Sequence, residues 1–377
     1  MHVERSSEGT PLQPKPIHLI AAARPNFMKV APLYHALKRE SWCRPLIVHT
    51  GQHYDLNMSD AFFDDLQLPP PDFHLEVGSG THAEQTGRVM IAYEKVCFEH
   101  RPDWIVVVGD VNSTAACAIV AAKLCIPVVH LEAGLRSRDR SMPEEINRLV
   151  TDAIADVLWT PSPDADENLL QEGVPAEKID RIGNIMIDSY ELQRVRIDAD
   201  GSRVRLGLEP RAYGVVTLHR PSNVDTRERL EPLMSELQLA ARELPLIFAV
   251  HPRTRSRLQE FGLLEPLAGN QRLRLTEPLG YVQFMNLVSS ARLVITDSGG
   301  VQEETTYLGI PCLTLRENTE RPITVTQGTN RLARTENLLE NVHQALNGRW
   351  NTGKRPDRWD GNAAQRAVES LRRRAGV

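Results

Sequence analysis

The sequence predicts an α/β protein made of two doubly wound domains, each with a parallel sheet covered by helices on both faces. From Ile17 onward, short apolar segments of strand length alternate with amphipathic helical segments, which is the pattern of such a sheet. The alternation pauses between Ile187 and Arg211, where charged residues are frequent, and resumes at Tyr213. With 377 residues, the chain is long enough for two domains of ordinary size.

The first domain is predicted over residues 17–187, after a polar segment at 1–16 that contains three prolines and that we expect to be disordered. Phe27, Val30 and Leu37 recur on one side of the first predicted helix. The alanine-rich third helix is expected to be capped by Asn112 or Ser113. Strands are predicted at 17–22, 46–49, 104–108, 127–131 and 157–160, and helices at 26–39, 83–100, 113–123 and 143–155.

The second domain is predicted over residues 188–350, with the boundary in the charged stretch between the two alternating patterns. A helical segment within residues 351–377 follows, and we expect it to pack back on the first domain. Its last turn carries three arginines, where cations suit the helix dipole. Strands are predicted at 213–218, 246–250, 272–275, 293–296 and 312–315, and helices at 227–244, 281–290, 336–346 and 362–374.

Composition argues against several classes of protein. The hydrophobic content of 41% and the charged content of 25% are typical of soluble globular chains. A net charge of −5 argues against a nucleic-acid-binding protein. No apolar run approaches the roughly 18 residues of a membrane span, and residues 1–16 lack the apolar centre of a signal peptide. The five cysteines form no CxxC pair, which favours reduced thiols in a cytoplasmic protein.

The segment from Ile295 to Glu304 is the most informative part of the chain. An apolar strand ends there, Ser298, Gly299 and Gly300 follow, and a helix begins. Glycines let backbone N–H groups approach an oxyanion, and a helix N-terminus supplies unpaired donors, so the segment predicts a phosphate site. Glu303 or Glu304 then has the position to accept hydrogen bonds from ribose hydroxyls. The alternative is an ordinary turn whose acidic residues favour the helix dipole.

Charged residues also follow the predicted strands of the first domain, where ligands of such sheets bind. Arg24 and Lys29 form a second candidate anion site. Asp110, Glu132 and Glu144 are candidates for acid and base roles, since carboxylates in different environments can divide these duties. The alternative for Asp110 and Glu132 is helix capping or a structural ion pair with Arg136 or Arg148. The alternative for Glu144 is ordinary helix-start chemistry beside Pro143.

In the second domain, His219 and Arg220 follow the first strand, and Arg321 follows the strand after the glycine-rich turn. His219 is a plausible proton donor or phosphate partner near neutral pH, although a histidine at a strand end is often merely hydrogen-bonded. Arg321 has only Glu317 and Glu320 nearby in sequence and is suited to clamp a diphosphate. The sequence has no recognisable metal-ligand spacing. It also lacks the GxGxxG fingerprint after the first strand, which argues against a firmly held NAD.

Together these segments resemble the non-hydrolysing UDP-N-acetylglucosamine 2-epimerase family over nearly the whole chain. Several motifs of this length occurring in order make the resemblance specific. The matching segments are Arg24-Pro25-Asn26 with Lys29, Thr50-Gly51-Gln52-His53, Gly109-Asp110, His130-Leu131-Glu132-Ala133-Gly134-Leu135-Arg136, Pro143-Glu144-Glu145-Ile146-Asn147-Arg148, Ile182-Gly183-Asn184, Leu218-His219-Arg220, Asp297-Ser298-Gly299-Gly300-Val301-Gln302-Glu303-Glu304 and Thr319-Glu320-Arg321-Pro322.

The resemblance implies two Rossmann-like domains of glycosyltransferase-B type with an active site in the cleft between them, and a homodimer. The implied activity is interconversion of UDP-GlcNAc and UDP-ManNAc for surface polysaccharide synthesis, without a metal or other cofactor. The proposed route of the family expels UDP to give 2-acetamidoglucal, and UDP then adds back while C2 takes a proton on the opposite face. Hydrolytic release of ManNAc, glycosyl transfer by the same fold and a catalytically silent sensor are the alternatives.

The resemblance also implies roles for individual residues. It assigns acid and base roles to the three carboxylates and His219. It assigns binding of the diphosphate or sugar to a set of cationic side chains. It implies the catalytic residues Asp110, Glu132, Glu144 and His219, the diphosphate or sugar contacts Arg24, Lys29, Arg220 and Arg321, the phosphate cradle Ser298, Gly299 and Gly300, the ribose contact Glu304 and the uracil neighbour Phe284.

Two departures from the family pattern are visible. Ala22-Ala23 stands where many members have Gly-Thr, which affects how closely the backbone approaches phosphate. Gln52-His53-Tyr54-Asp55 stands where members activated by a second substrate molecule tend to have Gln-His-Arg followed by Gln or Glu. The second departure argues against allosteric activation of this chain.

Overall fold

Two parallel β-sheets with helices on both faces form the core of the computed structural model, which describes residues 13–51, 63, 66–350 and 353–377. The predicted α/β, doubly wound fold class is confirmed, because every strand pairing in both sheets is parallel. None of the helices in these ranges is both long and apolar enough to cross a lipid bilayer.

The first sheet has the order β3-β2-β1-β4-β5-β6-β7 within the described residues. Its central strands are apolar and buried on both faces, as expected for a sheet covered by helices. The strands are β1 (Lys15–Ala21), β2 (Cys43–His49), β3 (Phe73–His74), β4 (Trp104–Val108), β5 (Val128–Leu131), β6 (Val157–Thr160) and β7 (Ile179–Arg181). The helices are α1 (Arg24–Lys38), α2 (His82–Glu99), α3 (Asn112–Lys123), α4 (Pro143–Ile154) and α5 (Pro163–Gln171), with a 3-10 turn at Ala176–Lys178.

The second sheet has the order β10-β9-β8-β11-β12-β13 within the described residues. Its strands are β8 (Gly214–Thr217), β9 (Leu246–Ala249), β10 (Leu273–Thr276), β11 (Leu293–Thr296), β12 (Cys312–Leu315) and β13 (Asn330–Ala333). The remaining helices are α6 (Ile185–Ala199), α7 (Ser202–Arg205), α8 (Pro221–Val224), α9 (Arg227–Glu243), α10 (Pro252–Glu260), α11 (Leu264–Ala268), α12 (Tyr281–Ser289), α13 (Gly299–Leu308), α14 (Ile323–Thr326), α15 (Leu338–Leu346) and α16 (Ala363–Ala375), with a 3-10 turn at Thr335–Asn337.

The structure corrects several local predictions. Lys15 and Pro16 belong to β1 and pair with β2, so the predicted disordered segment 1–16 extends too far, and residues 1–12 lie outside the described ranges. Helix α3 begins at Asn112 with Val111 at the N-cap, and neither Asn112 nor Ser113 caps it. Short elements such as β7 and β13 were not predicted from the sequence, because three or four residues carry too little periodicity to identify a strand.

Helix α6 occupies the stretch in which the alternating pattern pauses, and the predicted boundary between residues 187 and 188 falls inside it. Ile185 packs in the core of the first domain, whereas Ile187 and Ile197 pack in the core of the second. Gly183, just before the helix, has φ +95°, and a Cβ there would lie 2.1 Å from the carbonyl oxygen of Arg358. The connection between the domains is therefore a helix entered through a glycine.

Helix α16 packs against α1 of the first domain. Ala367 and Leu371 share a core with Ile17, and Trp159 Nε1 donates to Ser370 Oγ at 2.8 Å. The Asp188 side chain on α6 accepts hydrogen bonds from the first backbone N–H groups of α16. The end of the chain thus crosses from the second domain back to the first.

Candidate active site

A cleft of about 780 Å³ lies between the carboxyl ends of the two sheets. Twelve of the predicted site residues line it: Arg24, Lys29, Asp110, Glu144, His219, Arg220, Phe284, Ser298, Gly299, Gly300, Glu304 and Arg321. Glu132 does not line the cleft, but it contacts Lys29 and Arg321, which do. Residues that are nearly 300 positions apart in sequence therefore share one site.

Glu132 joins the two domains. Its Oε2 forms an ion pair with Lys29, and its Oε1 accepts a hydrogen bond from Arg321 Nη2 at 2.8 Å. Burial opposes ionisation of Glu132, but the charges of Lys29 and Arg321 outweigh it and hold the pKa below the ordinary value. Glu132 also has φ +78°, an uncommon conformation for a residue with a side chain. The alternative partners considered from the sequence, Arg136 and Arg148, form no ion pair with it, since Arg136 binds Asp152 and Glu172 and Arg148 binds Asp110 and Glu145.

Asp110 follows β4 and is half-buried at the cleft wall. Arg148 on α4 donates to its Oδ2 from Nε at 3.1 Å and from Nη2 at 2.8 Å. The ion pair that the sequence analysis considered as the alternative for Asp110 is thus present, and it leaves Asp110 at the cleft. Glu144, one turn before Arg148 on the same helix, also lines the cleft and is exposed.

The N-terminus of α13 forms the opposite wall. Ser298 occupies the N-cap position without a side-chain capping bond, and the first N–H groups of a helix have no partner within it. A Cβ on Gly299 would lie 2.9 Å from Arg321 Nη1 and 3.0 Å from Glu320 Oε1. Glycine therefore allows Arg321 to lie directly against the start of the helix, where an anion would meet both.

His219 is fixed by a buried carboxylate. Its Nδ1 lies 2.8 Å from Asp297 Oδ1, and Asp297 also accepts hydrogen bonds from the backbone N–H groups of His219 and Arg220. Burial opposes ionisation of Asp297, but the bond and charge of His219 and the other donors lower its pKa overall. Arg220 Nε donates to the carbonyl oxygen of Asp297 at 2.9 Å. This role of Asp297 was not predicted from the sequence, although the residue directly precedes Ser298.

The two adjacent glutamates of α13 have different surroundings. Glu304 accepts a hydrogen bond from the Tyr281 hydroxyl at 2.7 Å, and burial raises its pKa to about 8. Glu303 accepts a hydrogen bond from Asn184 Nδ2 at 2.9 Å and lies 2.9 Å from Arg321 Nε. Burial raises the pKa of Glu303, with Arg321 opposing the change. Tyr281 was missed by the sequence analysis because a tyrosine at a helix start carries no local signal of a buried carboxyl partner.

One of the two departures from the family pattern, Ala22-Ala23, lies within the described residues. Ala23 is the N-cap residue of α1, and its backbone N–H donates to Asn26 Oδ1 at 3.1 Å. Gln52, His53, Tyr54 and Asp55 lie outside the described residues. The lack of allosteric activation therefore stays a prediction from sequence.

A second cavity, of about 870 Å³, adjoins the cleft at the ends of β12 and β13. It shares Met142 and Arg220 with the cleft and is otherwise lined by side chains outside the predicted set, such as Arg229 and Arg334. Of the two cavities, only the cleft brings the predicted carboxylates to the glycine-rich helix start.

Comparison with known proteins matches the chain to one family. The family model described as UDP-N-acetylglucosamine 2-epimerase matches residues 35–372. The UDP-N-acetylglucosamine 2-epimerase of Methanocaldococcus jannaschii is 44% identical over 89% of this chain and 93% of the relative. A UDP-2,3-diacetamido-2,3-dideoxy-D-glucuronate 2-epimerase of Pseudomonas aeruginosa is 38% identical over 87% of this chain and 91% of the relative.

Solved structures extend the comparison to the arrangement of both domains. The M. jannaschii UDP-GlcNAc 2-epimerase in complex with UDP-GlcNAc and UDP has a TM-score of 0.84 and 41% identity, and the match covers 94% of this chain and 99% of that one. The Neisseria meningitidis UDP-GlcNAc 2-epimerase bound to UDP-GlcNAc has a TM-score of 0.85 and 26% identity, with 95% and 100% covered. The two Rossmann-like domains of glycosyltransferase-B type are therefore confirmed.

Proposed function

Because the chain belongs to the UDP-N-acetylglucosamine 2-epimerase family, we propose that it interconverts UDP-GlcNAc and UDP-ManNAc by eliminating UDP and adding it back. One observation carries the proposal: Glu132 of the first domain and Arg321 of the second meet at 2.8 Å beside the glycine-rich start of α13. Carboxylates suited to move a proton at C2 thus lie next to cations suited to hold the diphosphate that leaves C1.

Elimination removes the C2 proton while the C1–O bond breaks and its electrons leave with UDP. Asp110 and Glu132 are the proposed proton acceptors, and Glu144 and His219 are the further groups that handle protons on the other face or at the diphosphate. Inversion at C2 requires proton transfer on both faces of the sugar, which accounts for more than one carboxylate in the cleft. The product of this step is 2-acetamidoglucal, and the overall reaction is redox-neutral, so the proposal requires no cofactor.

The leaving UDP requires positive charge that is already in place. Arg24, Lys29, Arg220 and Arg321 are proposed to hold the diphosphate, together with the N–H groups at Ser298, Gly299 and Gly300. Glu304 is proposed to bind the ribose, and Phe284 lies in the same cleft where it can approach the uracil. Retention of UDP between the domains would favour re-addition over capture of the intermediate by water.

The proposal is tested by incubating UDP-GlcNAc with the protein in deuterated water and following the sugar by NMR. We expect deuterium at C2 and the appearance of UDP-ManNAc. Free ManNAc would indicate a hydrolysing epimerase, and an unlabelled C2 would indicate a transferase or a silent sensor. Because the P. aeruginosa relative is named for a diacetamido glucuronate, the same exchange assay with that UDP-sugar tests whether it is the better substrate.

We propose further that the protein acts in the cytoplasm, in the supply of sugars for surface polysaccharide, as a homodimer. Ile91 and Phe98 on α2 are 62% and 69% exposed and lie seven residues apart, on the same face of the helix. A second copy of the chain covering this face would remove both from water. Light scattering after gel filtration measures the assembly, and Phe98→Lys should shift it toward the monomer. A wild-type chain that runs as a monomer contradicts the dimer.

A further inference from the structure

The two carboxylate oxygens of Asp110 have different surroundings. Oδ2 accepts two hydrogen bonds from Arg148, at 3.1 Å from Nε and 2.8 Å from Nη2. Oδ1 has no hydrogen-bond partner among the described residues, and Asp110 lines the cleft. One oxygen is thus held and the other is left for a ligand.

Arg148 is itself fixed. Its side chain is buried, and its third contact is an ion pair between Nη1 and Glu145. Glu145 in turn accepts hydrogen bonds from Ser137 N at 2.9 Å, Ser137 Oγ at 3.0 Å and Arg138 N at 2.9 Å. These two residues belong to the loop that begins at Glu132. The orientation of Asp110 is therefore tied to the backbone of the loop that carries the other buried carboxylate.

The backbone next to the Asp110 side chain is held as well. Asn147 Nδ2 donates to the Asp110 carbonyl oxygen at 2.9 Å, and His130 Nε2 lies 2.8 Å from the carbonyl oxygen of Gly109. Gly109 has φ +67°, a turn that directs the chain out of β4 into this arrangement. With the backbone and one oxygen both fixed, the aspartate has little freedom to rotate.

We propose that Arg148 is a positioning residue that holds Oδ2 of Asp110 so that Oδ1 is the atom that accepts the C2 proton. This rests on the proposed epimerase function. In the step, the Oδ1–H bond forms as the C2–H bond breaks, the released electron pair forms the C1–C2 double bond, and the C1–O electrons leave with UDP. A base held at one angle removes the need to order it during the reaction.

Glu132 supports this division of roles by contrast. Both of its oxygens are engaged by cations, Lys29 on Oε2 and Arg321 on Oε1. In Asp110, Arg148 binds Oδ2, whereas Oδ1 has no hydrogen-bond partner among the described residues. Carboxylates in such different environments take different roles in acid–base chemistry, and the geometry assigns the first proton abstraction to Asp110.

The test is the rate of C2 deuterium exchange in Arg148→Lys. Lysine keeps the positive charge but cannot supply two hydrogen bonds to Oδ2 and a third contact to Glu145 from a planar group. We expect exchange at saturating substrate to fall about 100-fold, the size of effect that a misplaced catalytic group produces. KM and the Kd for UDP should stay near the wild-type values. Arg331→Lys, which changes an arginine packed over Trp350 in the second domain, is the matched control and should exchange normally.

A double-mutant cycle separates positioning from a general structural role. If Arg148 acts through Asp110, Arg148→Lys should cause little further loss in an Asp110→Asn background. Glu145→Gln, which weakens the hold on Arg148 without removing it, should cause a smaller loss of C2 exchange. This variant tests the proposal if Arg148→Lys does not fold. Full additivity, normal exchange in Arg148→Lys, or loss of UDP binding together with exchange would overturn the proposal. Absence of exchange in the wild-type protein would instead reject the proposed function.

Discussion

Two buried glutamates on opposite sides of the cleft, Glu132 and Glu304, have pKa values shifted in opposite directions. In the first domain, Glu132 and Asp110 are bound by cations, and the charges of Lys29 and Arg321 keep the pKa of Glu132 low despite its burial. In the second domain, Glu304 is bound by the hydroxyl of Tyr281, and burial raises its pKa to about 8. Lys29 and Arg321 thus favour the ionised form of Glu132, whereas burial favours the protonated form of Glu304 beside the glycine-rich helix start. We therefore expect that mutations can separate proton chemistry from nucleotide binding.

The largest effect should come from removing the charge of Glu132. In Glu132→Gln we expect C2 exchange to fall about 1,000-fold, the contribution of a well-placed acid–base group. UDP should bind at least as tightly as to the wild type, because Lys29 and Arg321 lose a competing negative charge. Exchange by NMR and UDP affinity by calorimetry measure the two effects. Weaker UDP binding would show that Glu132 supports the nucleotide site and that proton chemistry cannot be separated from nucleotide binding at this residue.

The next effect concerns the dependence of stability on pH. The pKa of Glu304 rises from 4.5 to about 8 on folding, so the folded state holds a proton that the unfolded state releases. The free energy of unfolding should therefore fall as the pH rises between 4.5 and 8, by up to about 1.4 kcal/mol per pH unit. In Glu304→Gln this slope should be absent. Urea unfolding at pH 6 and pH 7.5 tests it: this group should lower the free energy of unfolding of the wild type by about 2 kcal/mol between the two pH values, and the variant should lack this decrease.

Glu132 supplies the comparison of opposite sign. Because its pKa is lowered on folding, its contribution to stability is present above about pH 4.5 and is lost as the pH falls. Relative to the wild type, Glu132→Gln should therefore lower stability most above about pH 4.5 and least in acid. Glu304→Gln should instead raise the free energy of unfolding relative to the wild type, most strongly near pH 8. If both variants change the pH dependence of the free energy of unfolding in the same direction, the opposite pKa shifts of Glu132 and Glu304 are wrong.

A smaller effect should come from closing the approach to the start of α13. The Cβ of Gly299→Ala would displace Arg321 or Glu320, which lie within 3.0 Å of its position. We expect the Kd for UDP to rise about tenfold, equivalent to about 1.4 kcal/mol, with exchange at saturating substrate nearly retained. Gly269→Ala is the control, because its φ is −76° and no other atom lies within 4 Å of the added carbon. An unchanged Kd in Gly299→Ala would contradict a phosphate contact at this turn.

Much of the fold and most of the candidate residues were predictable from local pattern. Parallel strands place their carboxyl ends at one edge, so residues such as Arg24, Asp110, His219 and Arg321 could be assigned to a shared cleft from their positions after strands. Ser298 and Gly299 could be assigned to an anion site because a strand, a glycine turn and a helix follow each other directly. These inferences rest on neighbours in sequence, where periodicity is informative.

Only the tertiary structure decided which charges meet. Glu132 and Arg321 are 189 residues apart and belong to different domains, so no spacing rule could pair them. The alternative ion pair with Arg136 or Arg148 is absent for Glu132, whereas Asp110 does pair with Arg148. The orientation of Asp110 depends on Arg148 and Glu145, and the protonation of Glu304 depends on burial beside Tyr281. The sequence by itself determined two parallel-sheet domains and the chemistry of their strand ends, since both follow from local periodicity. Ionisation and orientation depend on distances across the fold, which the order of residues does not contain.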